Sequence, residues 1–269
     1  MQTKWAGKDL HYYECIESTN TELVSLIKEG APHGALVMAD MQTAGRGRRG
    51  RSWESPKGCN IYFSLLLRPS FAPENASMLT LVMACAVAKG IEQALQESMS
   101  VTAVSPKLPQ PQIKWPNDIL MNHKKICGIL TELRLDAIQK AGYQVIVGVG
   151  INVKAQAFPP ELSDKAGSIE QESGICLSRK VLTEKILSAF EGYYEQFSER
   201  GDLSLLMEEY NAMLVNLGRE VKVLDPKGEF CGVAKGINKN GELLVELSGG
   251  KIEQVYAGEV SVRGICGYV

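Results

Sequence analysis

The chain has 269 residues, 45% of them hydrophobic, and a net charge of −2, which is material for one large core or for a large domain with a small one. Acidic and basic residues nearly cancel, and this excludes a uniformly basic nucleic-acid surface and an acidic tail. The first residues, MQTKWAGKDL, lack the basic-then-apolar order of a signal peptide, and no apolar run reads as the ~18 residues of a membrane span, so a cytoplasmic protein without a membrane partner is expected.

In chain order, Tyr12 to Ile16 reads as extended, and Thr19 with Glu22 three residues on reads as a capping box opening a helix that Gly30 closes. Ala35 to Ala39 reads as a buried strand, and Asn60 to Leu67, rich in Ile, Tyr, Phe and Leu, as another. Between them lies a glycine- and arginine-rich loop. Apolar residues from Pro73 to about Ser98 predict a long, nearly fully buried helix, and the prolines from Ser105 to Pro111 predict a loop. Gln112 to Trp115, Ile126 to Leu133 and Tyr143 to Val153 read as strands, with Met121 to Lys124 as a hairpin turn. Arg179 to Glu199 and Leu203 to Leu217 carry helical patterns.

At Gly218 the texture changes to short alternating runs, Val221 to Leu224, Cys231 to Ile237, Leu243 to Leu247 and Ile252 to Tyr256, broken by Asp225-Pro226, Asn240-Gly241 and Gly249-Gly250. That spacing predicts a small five-stranded barrel of about fifty residues, too small to stand alone. The expected division is residues 1–217 and 218–269. The seven cysteines are odd in number, dispersed and free of any C-x-x-C pair, so neither a zinc site nor a disulfide framework is expected and they read as buried thiols.

Three segments carry chemistry. Gly45 to Arg51 packs Arg46, Arg48, Arg49 and Arg51 among three glycines; glycine lets backbone approach a ligand, and guanidinium forks hold carboxylate or phosphate bidentately. Lys114 ends a strand before Trp115-Pro116-Asn117-Asp118. It reads either as a snorkelling cation or as one that stabilises charge on a phosphoryl or carboxyl oxygen. Val147 to Val153 is a strand whose Gly148 and Gly150 clear one face for something bulky. The strand runs on without turning into a helix, so it is not a dinucleotide fingerprint.

Taken together, Glu17-Ser18-Thr19-Asn20, Gln42 to Trp53, Lys114 to Asp118, Lys125 to Glu132 and Gly148 to Asn152 resemble the biotin protein ligases over nearly the whole chain. The resemblance implies an α+β catalytic domain like that of class II aminoacyl-tRNA synthetases, a mixed sheet with flanking helices, followed by an SH3-like barrel. It also implies a two-step reaction. Biotin and MgATP form biotinyl-5′-AMP and pyrophosphate, and a lysine of a biotin carboxyl carrier protein domain then takes the biotinyl group.

The biotin-binding residues implied are Ser18, Thr19, Asn20, Gln42, Arg46, Gly47, Arg48, Lys114, Gly128 and Gly148, with Lys114 and Arg48 as the catalytic pair. Those implied for the nucleotide are Arg46, Arg48, Arg51, Trp53, Asn152 and Arg263. Trp53 reads equally as a core residue and Arg263 as a solvated one; Asn117 and Asp118 read either as ordering the turn beside Lys114, the favoured reading, or as helping to place Mg²⁺. No protein metal site is implied, Mg²⁺ being brought in by the ATP. Only seventeen residues precede Ser18, so the DNA-binding domain of the repressor-ligases, and binding to DNA, are not expected. The adenine-side loop, Lys165 to Ile169, has no tryptophan to cover the base.

Two rival readings remain at this level. A lipoate ligase shares architecture and chemistry, but the Arg/Gly loop and Lys-Trp-Pro-Asn-Asp weigh against it. A nucleic-acid-binding module could use the arginine tract, but no second basic cluster or aromatic stacking series accompanies it. A strand such as Gln144 to Val149, if at a sheet edge, would pair two subunits of a homodimer.

Overall fold

The computed structural model describes residues 3–99, 108–135, 142–225, 228–258 and 260–264. Residues 105–107 of the proline-rich loop, Pro226 and Cys266 therefore lie outside the described residues. The chain runs β1 (Leu10–Tyr13), α1 (Thr19–Lys28), β2 (Leu36–Ala39), β3 (Ile61–Leu67), α2 (Leu79–Met99), β4 (Gln112–Lys114), β5 (Asp118–Met121), β6 (Lys124–Leu135) and β7 (Tyr143–Ile151). Then follow α3 (Ile169–Ser173), α4 (Arg179–Arg200), α5 (Met207–Met213), β8 (Glu220–Asp225), β9 (Gly228–Ile237), β10 (Leu243–Glu246), β11 (Ile252–Val255) and β12 (Ser261–Gly264).

Among the described residues the first sheet has seven strands in the order β1-β2-β3-β7-β6-β5-β4. It is mixed, since β1 pairs parallel with β2 and the remaining neighbours are antiparallel. One face packs on α2, which α4 covers from outside. The two helices come close at Gly90, where a Cβ would stand 2.6 Å from Ile186 Cγ1. The other face is covered only partly by α1, whose Leu23 and Leu26 join Val37, Leu66 and Ile146 in a small cluster. The uncovered part of that face holds the site.

The second sheet, order β11-β10-β9-β8-β12, is antiparallel throughout. As expected for so small a unit, it does not stand apart: Val221, Val223, Ala234, Ile237 and Leu243 belong to the same core cluster as α2 and the first sheet. Trp115 Nε1 also donates to Gly241 O at 3.0 Å.

Several expectations need correction. Strand β7 is not an edge: β3 and β6 use its hydrogen bonds on both sides, so Gln144 to Val149 offers nothing to a second subunit. The cap of α1 is Ser18, extended at φ −159°, while Thr19 is already helical and Glu22 accepts from Tyr13 Oη at 2.8 Å instead of closing a box. The helix expected over Leu203 to Leu217 forms only at Met207–Met213, because Leu214 turns extended and Val215 N donates to Ile113 O at 2.9 Å beside β4. Residues Pro73–Met99 are, by length and a hydropathy of 1.4, apolar enough to cross a membrane. In the fold that stretch is the core helix and the turn before it, mostly buried between sheet and α4.

Candidate active site

The uncovered face of the first sheet is read off the strand register. On β3, β7 and β6 the residues in line are Ser64, Gly148 and Leu130, and one step along Tyr62, Gly150 and Gly128. Glycines thus sit where side chains would fill the face. What approaches at Gly148 is Asn20: a Cβ there would stand 2.2 Å from Asn20 Oδ1. Gly128 and Gly150 make room for Trp53, whose indole a Cβ would meet at 2.9 and 2.4 Å respectively. Asn20 and Trp53 thus take up the space left over the glycine strand.

A cleft opens beside these residues, with about 460 Å³ of space including its mouth. Its polar end is built at the start of α1, where Gln42 Oε1 accepts from Thr19 N at 2.9 Å and Thr19 Oγ1 at 3.1 Å. Ser64 Oγ donates to Asn20 Oδ1 at 2.5 Å. Asn20 Nδ2 donates to Glu132 Oε2 at 2.6 Å. Ser18, Gly47 and Arg48 also line the cleft.

The arginine loop crosses the mouth as a small hairpin, with Gly47 N donating to Arg51 O at 2.7 Å and Trp53 N to Gly45 O at 2.9 Å. Arg49, at φ 58°, takes the left-handed conformation at its tip. Arg46 pairs with Glu132 at 3.0 Å. Arg48 donates to Asn117 Oδ1 at 2.7 Å and to Gly258 O at 2.6 Å, tying the loop to the second sheet. Burial lowers the Arg48 pKa, and Asp118 opposes that shift; a guanidinium nonetheless stays charged at any ordinary pH.

Lys114 is not on the cleft wall. It is 6% exposed, opposite Asp118 in the β4–β5 pair, and burial lowers its pKa to about 8. Asp118 acts against that shift, while Lys125, Arg263 and Arg51 add to it. The lysine that does line the cleft, together with Arg46 and Arg48, is Lys125, 2.7 Å from Asp118 and 5.4 Å from the Trp53 ring. Lys125 faces the cleft because of a β-bulge. Register shifts between Ile119 and Leu120, so that Asp118 pairs with Gly128 but Leu120 with Lys125, which turns Lys125 onto the Gly128 face.

Two family models and several known proteins match the chain. Residues 12–152 match the model of the biotin/lipoate A/B protein ligase family, and residues 217–263 that of the biotin protein ligase C-terminal domain. This chain belongs to the biotin protein ligase family. It is 38% identical to the bifunctional ligase/repressor BirA of Bacillus spizizenii, over 97% of this chain and 76% of that protein. It is 32% identical to the biotin–[acetyl-CoA-carboxylase] ligase of Mycobacterium tuberculosis, over 90% and 85%. In structure it is similar to the biotin protein ligase of Aquifex aeolicus in complex with biotin and ATP, with TM-score 0.78, 31% identity and coverage of 96% and 99%.

Within this ligase the cleft gathers Ser18, Thr19, Asn20, Gln42, Arg46, Gly47, Arg48, Trp53, Gly128 and Gly148 of the residues singled out in the sequence. It does not gather Lys114, Arg51, Asn152 or Arg263 on its wall. Arg51 and Arg263 are exposed, within electrostatic reach of Lys114. Asn152 is buried, and its Nδ2 donates to Gly167 O at 3.0 Å, shaping the loop whose Lys165 O accepts from Lys125 N at 2.7 Å. Asn117 and Asp118 order the turn as expected, through Arg48, Ile129 O and Lys125. Lys125 and Glu132 were missed as site residues; both lie within a quoted motif, but only register and the bulge reveal which way they face.

Proposed function

We propose that this ligase activates biotin with MgATP as biotinyl-5′-AMP and transfers the biotinyl group to a lysine of a biotin carboxyl carrier protein domain. One observation carries the reading: hydrogen-bonding groups at the start of α1 and cations from two distant segments share a single cleft. A ureido ring offers donors and acceptors that suit Ser18, Thr19, Asn20 and Gln42, with the tail directed toward the cations.

In the first step a carboxylate oxygen attacks the α-phosphorus, and the bond to the pyrophosphate oxygen breaks. Two anions must meet, so cations are needed to offset their repulsion. Arg48 and Lys125 are the best placed, with Lys114, Arg51 and Arg263 a layer further out toward the nucleotide phosphates. Asp118 alone is not an all-protein cage, and this fits a Mg²⁺ carried mainly by the phosphates; bound there, the ion neutralises charge on the triphosphate. In the second step the acceptor amine attacks the acyl carbon, AMP leaves and the amine loses its proton. A loop across the mouth keeps water from the anhydride, and Trp53, whose buried Nε1 has no partner among the described residues, supplies an aromatic wall beside the nucleotide.

We also assign residues 1–217 to the catalytic domain, of class II synthetase-like type, and 218–269 to an SH3-like barrel, in a cytoplasmic enzyme. The expectation that the cysteines are buried thiols holds for Cys85 and Cys127, whereas Cys15, Cys176 and Cys231 are exposed and Cys59 is half-buried. The test is incubation with biotin, MgATP and a carrier domain, followed by mass spectrometry of the carrier. One added biotinyl group is expected. Lipoate supporting pyrophosphate exchange better than biotin would move the chain to the lipoate branch of the family.

A further inference from the structure

We infer that Glu132 is a positioning residue: it fastens the arginine loop across the cleft through Arg46, fixes the Asn20 amide, and so sets how long an acid ligand stays bound. This rests on the reading of the cleft as the biotin site. Alternation along β6 places Glu132 on the face of Gly128 and Leu130, beside the polar end of the cleft.

The two oxygens have separate duties. Oε1 is 3.0 Å from Arg46 Nη2, and Oε2 accepts from Asn20 Nδ2 at 2.6 Å while lying 3.5 Å from Arg46 Nη1. Asn20 Oδ1 is taken by Ser64, so both ends of the amide are assigned and its orientation is fixed. One carboxylate thus links the start of α1 to the loop. Near its tip the loop is held by Arg48 to Asn117 and Gly258. Lifting the loop from the polar end requires breaking the Arg46–Glu132 pair.

An isolated pair as exposed as this one contributes little to stability, since Arg46 is 50% exposed. Its effect belongs instead to the rate at which the cleft opens. The ligand-release rate is the quantity to read.

The experiment measures biotin dissociation by stopped flow, and KM and kcat for carrier biotinylation, in the wild type, Glu132→Gln, Arg46→Ala and the double variant. Glu132→Gln keeps an acceptor for Asn20 and the side-chain shape, so it is expected to fold. It should release biotin and raise its KM about fivefold, with kcat for transfer within about twofold. The double variant should release biotin no faster than Arg46→Ala, because both changes undo one latch. Unchanged release in Glu132→Gln, or fully additive effects in the double variant, would overturn the inference. Failure of the wild type to bind biotin would instead overturn the reading of the site.

Discussion

Lys114 keeps an ammonium in a position 6% exposed, and burial holds its pKa near 8 against an ordinary 10.5. Below about pH 8 the lysine is charged in both folded and unfolded chains, and the folded state bears the full cost of that burial. Between 8 and 10.5 the unfolded chain binds the additional proton, so this residue makes stability rise with pH. At about 1.4 kcal/mol per pH unit, the wild type should gain about 2 kcal/mol between pH 7.5 and 9.5 relative to Lys114→Met, as read by urea unfolding. Parallel stabilities of the two proteins would mean that Lys114 stays charged in the folded state across this window. The sequence shows Lys114 at a strand end but not its depth, which depends on residues 214–216 running beside β4. Lys125 is hidden for a different reason: strict alternation from Gly128 points it the wrong way, and only the bulge reverses it.

Elements whose identity rests on local pattern are legible: β2, β3, β4, β6 and β7, the buried α2 and the amphipathic α4 stand close to where periodicity puts them, whereas β1 begins and ends earlier than the extended stretch expected at Tyr12 to Ile16, and β5, four residues long, has too little pattern to be read as a strand. Those decided by a distant partner are not. Thr19 looks like a cap until Gln42 claims its hydroxyl, and the end of α5 is set by pairing with β4. The arginine loop shows the same division, since its composition announces an anion site while its anchor on Gly258 and Val260 lies more than two hundred residues away. Arg48 thus both lines the cleft and straps the loop to the segment that joins β11 to β12. Hydrogen bonds to a charged group contribute ~1.5 to 3 kcal/mol when buried, and less at this partly exposed site. Arg48→Gly should therefore let activated acyl escape on the order of tenfold faster, measured as biotinyl-AMP in the filtrate during turnover without carrier. Release at the wild-type rate would show that the loop closes without Arg48.

The texture of the sequence changes near residue 217, yet the core does not divide there. Val215 N donates to Ile113 O, and Trp115 N donates to the buried Asn216 at 3.1 Å, stitching the connecting segment to β4. The apolar residues of β8 to β10 share one core with α2, and Trp115, 2% exposed, reaches Gly241 of the second sheet. A sheet this small buries too little of its own surface to be stable by itself. Unfolding should therefore be a single transition, with far-ultraviolet dichroism and tryptophan fluorescence giving the same midpoint. Trp115→Phe keeps much of the apolar volume but removes the donor to Gly241, leaving that carbonyl without its partner from the first sheet, and is expected to cost about 1 to 3 kcal/mol. Because the core is continuous, that loss should lower the single midpoint without splitting it. Two separate transitions in the wild type would mean that the sheets hold together too weakly for the second to fix the arginine loop through Arg48.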